Sequence, residues 1–171
     1  MYPYNRNTRL YAAPIQAKER AARPKAPLSA DRRLRELLLL AREDAALLEE
    51  KYAALLEEEA LVGAKDILKT MATDQKKHRR ILRELLFELF RESFAEEEDR
   101  PAGETMEAEA LLESLLFAEL DDIPFFRSLL AALEEEADLW NLLFEILTDK
   151  QNHAAALNHL YAKYFVKTSG K

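Results

Sequence analysis

Two of the three histidines in this 171-residue chain stand in matching surroundings. His78 closes the segment Met71-Ala72-Thr73-Asp74-Gln75-Lys76-Lys77-His78, and His153 closes Ile146-Leu147-Thr148-Asp149-Lys150-Gln151-Asn152-His153. A shift of 75 residues lays Thr73 on Thr148, Asp74 on Asp149 and His78 on His153, then Leu82 on Leu157 and Leu85 on Leu160. Similarity at a fixed offset marks a duplicated structural unit. An imidazole with a carboxylate one helical turn before it can ligate a metal, hold a proton or anchor a hydrogen-bond network. Each histidine also sits on an apolar stripe: Ile67, Met71, His78, Leu82, Leu85 and Leu89 in the first copy, Leu139, Leu142, Ile146, His153, Leu157, Leu160 and Tyr164 in the second. Spacings of three and four put each stripe on one helix face, so both histidines are expected to point into a core. The position three residues before each shares that face and holds Gln75 or Lys150, which must find partners if buried.

Other chemistry has little support. His159, followed by Tyr161 and Tyr164, reads as a surface or interface residue. The absence of cysteine excludes disulfides, thiolate metal sites, iron–sulfur clusters and cysteine nucleophiles. There is no Gly-rich phosphate loop and no Ser/His/Asp arrangement. The runs Glu57-Glu58-Glu59, Glu96-Glu97-Glu98 and Glu134-Glu135-Glu136 belong to helix ends and loops, where the last favours a helix start through its dipole.

Long helices are needed to position these side chains, and the composition provides for them. Apolar residues make up 49% and charged residues 33%, while only Gly63, Gly103 and Gly170 interrupt as glycines. Such a length suits one domain with a single core. Helix 1 is expected from about Asp31, which can cap the first turn, to about Glu59. Val62-Gly63 makes a break, and helix 2 follows from about Ala64 to Arg91. Residues 94–104, with Pro101 and Gly103, read as a loop. Helix 3 is expected over Thr105 to Leu133, kinked at Pro124, and helix 4 over Ala137 to Phe165. The two short links make each neighbouring pair an antiparallel hairpin. The middle link can extend to ~40 Å, the length of a helix of about 27 residues. It can therefore cross the whole bundle, as an up-down-down-up order requires.

Charge is unevenly spread. Residues 1–30 carry Arg6, Arg9, Lys18, Arg20, Arg23 and Lys25 against Glu19 alone, a net of +5, so the total of −7 leaves −12 on residues 31–171. An acidic body does not suit nucleic acid. Residues 1–30 read as a basic tail, disordered or lying on a partner protein, and 166–171 as a C-terminal tail. No stretch reaches the ~20 apolar residues that span a bilayer, and no signal peptide is evident. A cytoplasmic protein that self-associates through helix faces is the expectation.

Asp-Glu-x-x-His on helices 2 and 4 is the signature of ferritin-like and rubrerythrin-like di-iron proteins. Residues 31–165 resemble that pattern as Asp74-Gln75-x-x-His78 and Asp149-Lys150-x-x-His153. The segment FEILTDKQNHAAALNHLY is similar to the fourth helix of ferritin-like proteins of unknown function. The resemblance implies a four-helix bundle of two similar hairpins, with one further Glu from each of helices 1 and 3 at a metal centre. Here the bridging glutamates are replaced by Gln75 and Lys150, and an ammonium strongly repels a nearby divalent cation. For helix 3 the pattern points to Glu119, on the face of Leu112, Leu115, Ile123, Phe126 and Leu130 and 34 residues before His153. The same offset before His78 gives Asp44, on the face of Leu37, Leu40, Leu47 and Leu55, with Glu43 as the neighbouring alternative. A metal shell would then be His78, His153, Glu119 and Asp44 or Glu43. The family pattern also implies that Asp74 backs His153 and that Asp149 backs His78.

Three readings follow for this degenerate site. In the first, a metal-free polar core, Lys150 fills the cation position and pairs with Glu119 and the helix 1 carboxylate. In the second, two histidines and two carboxylates hold one iron, zinc or manganese ion. The third is a working di-iron oxidase or a peroxide-protection enzyme, and it lacks two bridging ligands. The first ranks highest, so neither a cofactor nor catalysis is expected. From a different class comes a metal-independent helical scaffold or dimerisation module.

Overall fold

The computed structural model describes residues 30–94, 106–133 and 137–166, with the backbone alone for residues 30 and 31. Among the described residues all regular structure is helical, with no strand. The long helices are α1 (Ala30–Leu56), α2 (Lys65–Phe90), α3 (Ala108–Ala132) and α4 (Ala137–Tyr164), and a 3₁₀ turn, Glu59–Ala64, precedes α2. The expected spans agree with these to within three residues. The basic tail, the middle loop over residues 95–105, the Glu134-Glu135-Glu136 run and residues 167–171 lie outside the described residues.

Local chemistry accounts for the breaks. Gly63 lies within the 3₁₀ turn, where a Cβ would meet the Tyr164 hydroxyl at 2.7 Å. At the end of α2, Arg91 adopts the left-handed conformation (φ 57°) and its N–H bonds to the Phe87 carbonyl, while the Glu92 N–H reaches Leu86. These bonds satisfy the last carbonyls of the helix. Pro124 is exposed and α3 runs through it without ending.

The apolar core has two parts. One joins Leu38, Ala41 and Ala45 of α1 to Ile81, Leu82, Leu85 and Leu86 of α2, Phe126, Leu129 and Leu130 of α3, and Leu143, Ile146 and Leu147 of α4. The other joins Leu48, Tyr52 and Leu55 of α1 to Leu68 and Met71 of α2, Leu111, Leu112 and Leu115 of α3, and Leu157 and Leu160 of α4. Between them lies a layer of buried polar side chains: Gln75, His78, Glu119, Lys150 and His153. Ion pairs staple the helices from outside, with Arg35 on Glu92 and Arg79 on Glu49 joining α1 to α2 and its end.

The inward face of α1 differs from the expected one. Leu38, Ala41, Ala45, Leu48, Tyr52 and Leu55 are buried, while Leu47 is 37% exposed and Leu37 and Leu40 are half-buried. Four consecutive leucines, Leu37 to Leu40, make the apolar period ambiguous. The small Ala41 and Ala45 identify the face on which neighbouring helices come close. On α2, likewise, Ile67 is exposed and Leu68 takes the core position. Truncation tests this register. Leu48→Ala should cost roughly 2–5 kcal/mol in denaturant unfolding, and Leu47→Ala less than about 1 kcal/mol. Equal losses would contradict an inward face built on Leu48 rather than Leu47.

Candidate functional site

All four long helices contribute to the polar layer. Glu119 of α3, fully buried, is its hub. Its Oε1 accepts hydrogen bonds from the Tyr52 hydroxyl of α1 (2.7 Å) and from Gln75 Nε2 of α2 (2.9 Å), and lies 3.1 Å from His153 Nδ1 of α4. Its Oε2 has no hydrogen bond and faces Lys150 Nζ at 3.0 Å. Lys150 also pairs with Asp122 Oδ2 of α3 at 2.8 Å and donates to Gln75 Oε1 at 3.3 Å. Three oxygens thus surround the ammonium, two of them from carboxylates.

The histidines are cross-linked between the two copies of the repeat. His78 Nε2 is 3.0 Å from Asp149 Oδ2, and His153 Nε2 is 3.1 Å from Asp74 Oδ2. Both pairings match what the resemblance implies. The second nitrogen of His78 faces Gln75 Oε1 at 3.3 Å. At the rim, Lys77 Nζ bonds Asp149 at 2.7 Å and lies 3.4 Å from Asp74 and 3.2 Å from Glu145. The contacts therefore close a ring: Lys77, Asp149, His78, Gln75, Glu119, His153, Asp74 and back to Lys77.

Charge follows from these contacts. Burial alone would raise the Glu119 carboxyl, but the Lys150 ammonium and the His153 and Tyr52 hydrogen bonds outweigh it and hold the group at about 2. Burial is likewise outweighed at Asp149, where His78 and Lys77 bring the carboxyl down to about 2. Burial would lower the Lys150 ammonium, yet Asp122 and Glu119 turn the net shift upward. Burial, helped by the Lys150 charge, lowers the His78 imidazole despite its bond to Asp149. The Tyr52 phenol is pushed well above its usual value by burial and by Glu119. Asp122 is raised by burial and by the Glu119 charge, against the pull of Lys150.

Of the residues picked out from sequence, His78, His153, Glu119, Gln75, Lys150, Asp74 and Asp149 all meet here. From α1 the side chain bonded to Glu119 is Tyr52, whereas Glu43 is exposed and Asp44 half-buried. The offset explains this. Glu119 precedes His153 by 34 residues, whereas Tyr52 precedes His78 by only 26. Carrying 34 residues across to His78 therefore lands two turns too early on α1. The true offset between α1 and α3 is 67, which sets Ala41, Ala45, Leu48 and Tyr52 on the buried Ala108, Leu112, Leu115 and Glu119. Asp122, Tyr52 and Lys77 are additions that sequence reasoning misses. Asp122 has a signal, since it follows the buried Glu119 by three residues on the same face.

Taken as a donor set, these residues do not fit a divalent metal ion. An ammonium stands against Glu119 and Asp122, and the imidazole nitrogens are turned to protein oxygens. Among the described residues no three His, Asp or Glu side chains form a group that could hold one. No helix there is long and apolar enough to cross a membrane. No family model, curated protein or solved structure matches the chain.

These shifts give the site a pH signature. The unfolded chain protonates Glu119 and Asp149 near pH 4, whereas the folded chain does so only near pH 2. Stability from this source is present above about pH 4.5 and is lost as pH falls towards 2. Glu119 alone should contribute on the order of 3 kcal/mol. His78 adds an earlier loss below about pH 6.5, because the unfolded imidazole takes up a proton more readily than the buried one. Urea unfolding from pH 7 to 2.5 should show both decreases. In Glu119→Gln the step between pH 4.5 and 2.5 should shrink, and an unchanged step would remove Glu119 from this role.

Proposed function

We propose that this chain is a ferritin-like bundle with up-down-down-up topology whose centre works without metal, a helical scaffold rather than a di-iron oxidase. The observation that carries this reading is the Lys150 ammonium paired with Glu119 at 3.0 Å and Asp122 at 2.8 Å. It provides the positive charge that a metal would otherwise bring to buried carboxylates. The crossed pairs Asp74–His153 and Asp149–His78 support descent from a symmetric ligand set. Two antiparallel hairpins agree with the ion pairs between α1 and α2 and with the contacts of Glu109 on Tyr161 and Glu119 on His153. Up-down-down-up order agrees with the core, where the start of α1 and the ends of α2 and α3 share one cluster with the start of α4. The surface supports the scaffold reading, since Phe87, Phe144, Val62 and Ile67 remain exposed on the helices and the 3₁₀ turn.

Protein expressed with added iron, zinc and manganese should be purified with less than about 0.1 metal per chain, and its melting temperature should not respond to a chelator. In the Gln75→Glu, Lys150→Glu double variant, with both glutamates of the ferritin-like pattern present, elemental analysis should find bound metal. Stoichiometric metal in the unaltered chain would overturn the metal-free reading. A variant that folds without taking up metal would count against ferritin-like descent.

A further inference from the structure

The metal-free reading leaves open what kind of cation the centre accepts, and the oxygen geometry around Lys150 addresses it. Glu119 Oε2, Asp122 Oδ2 and Gln75 Oε1 stand 3.0, 2.8 and 3.3 Å from Nζ. Hard divalent ions draw oxygens to about 2.0–2.6 Å, well inside these distances. N–H···O bonds from an ammonium have the observed length. Two of the three oxygens carry charge opposite to the ammonium, and the third, Gln75 Oε1, accepts a hydrogen bond from it.

A second feature points the same way. Glu119 is fully buried and its Oε2 has no hydrogen bond, so this oxygen faces only the charge of Lys150. Every other polar contact of Glu119 is made through Oε1. One oxygen holds the protein network together, and the other is reserved for a cation. A buried carboxylate in that state is strongly unfavourable without a counter-charge.

We infer that the bundle centre is a primary-ammonium site, formed by Glu119, Asp122 and Gln75 and occupied by the chain's own Lys150. The site takes R–NH₃⁺ and disfavours divalent metals, because its oxygens are spaced for N–H donors. Lys150, itself buried, is thus a ligand tethered by its own four-carbon stem. This inference rests on the metal-free reading, but a different experiment decides it. Metal content of the unaltered chain tests that reading, while rescue of a truncated lysine tests this one.

Truncation to Lys150→Ala removes both the cation and the stem. Its melting temperature should fall by on the order of 10 °C, since a charge is left buried without its partner. n-Butylammonium chloride should restore much of the loss, with a shift that grows with the logarithm of its concentration. Tetramethylammonium chloride at equal ionic strength, with no N–H to donate, should not. Manganese and zinc chlorides should not raise the melting temperature either. Should Lys150→Ala be too unstable to purify, the Lys150→Ala, Asp122→Asn variant keeps one buried carboxylate with half the uncompensated charge. It should also respond to butylammonium, and Lys150→Ala, Glu119→Gln, Asp122→Asn should not. Rescue by metal but not by the amine would overturn the inference, and so would equal effects of the two ammonium salts. A Lys150→Ala chain as stable as the parent would overturn it too.

Discussion

Glu119 and Lys150 lie 3.0 Å apart at the centre of the bundle, and neither is more than 2% exposed. Removing such charges from water costs several kcal/mol for each ion, and attraction alone rarely offsets it. The remaining lone pairs and protons must therefore be satisfied. Tyr52, Gln75 and His153 converge on one oxygen of Glu119, and Asp122 and Gln75 converge on Lys150. That demand draws on all four long helices and separates the apolar core into its two parts. Slippage of α3 or α4 by a residue would part the buried ion pair, and slippage of α1 or α2 would withdraw a hydrogen bond from it. The polar layer thus fixes register where leucine packing alone would tolerate alternatives.

Duplication is visible in this layer, and so is its loss. Asp74 and Asp149 keep equivalent roles on opposite histidines, with Lys77 bridging them at the rim. The inner positions have diverged in matched pairs. Gln75 stands where the other copy has Lys150, and Tyr52 stands where it has Glu119. The first copy contributes an amide and a phenol, both neutral, and the second an ammonium and a carboxylate. Charge has been concentrated in the second copy and solvated by the first. Loss of Glu119 or Lys150 alone would leave an ion buried without that partner, so replacements here are strongly coupled.

Much of this is legible in the sequence, and the gaps have physical causes. Helix spans follow from period and breakers, and burial of Gln75 and Lys150 follows from their place three residues before each histidine. The crossing of Asp74 to His153 and Asp149 to His78 follows from resemblance to a symmetric centre. The register of α1 is obscured because Leu37 to Leu40 offer an apolar residue at every angle. Small residues such as Ala41 and Ala45, which permit close approach, carry the better signal there. Asp44 follows only if both copies reverse at the same distance from the site, and the first copy reverses eight residues sooner along the chain. Tyr52 is hidden because a tyrosine on a leucine stripe looks like core. Its hydroxyl becomes informative only when a buried acceptor stands opposite, and the sequence does not state that pairing.

A centre filled in this way constrains where the chain can act. Lys150, Gln75 and Tyr52 occupy the space around Glu119, and their protons are committed to neighbouring oxygens. A substrate entering there would have to break several charge-assisted hydrogen bonds at once, each stronger than a neutral one. The same commitments stiffen the helices against one another, because Lys77 ties α2 to α4 and Glu119 ties α3 to α1 and α4. Helices tied together in this way keep their outer faces in fixed relation. The aromatic pair Trp140 and Phe144, stacked at 5.0 Å with Phe144 48% exposed, sits on such a face. Large exposed aromatics on rigid elements lose little entropy when covered, and aromatic side chains dominate interface energetics. With the side chains around Glu119 committed to one another, the exposed aromatic faces are where this bundle offers a contact surface.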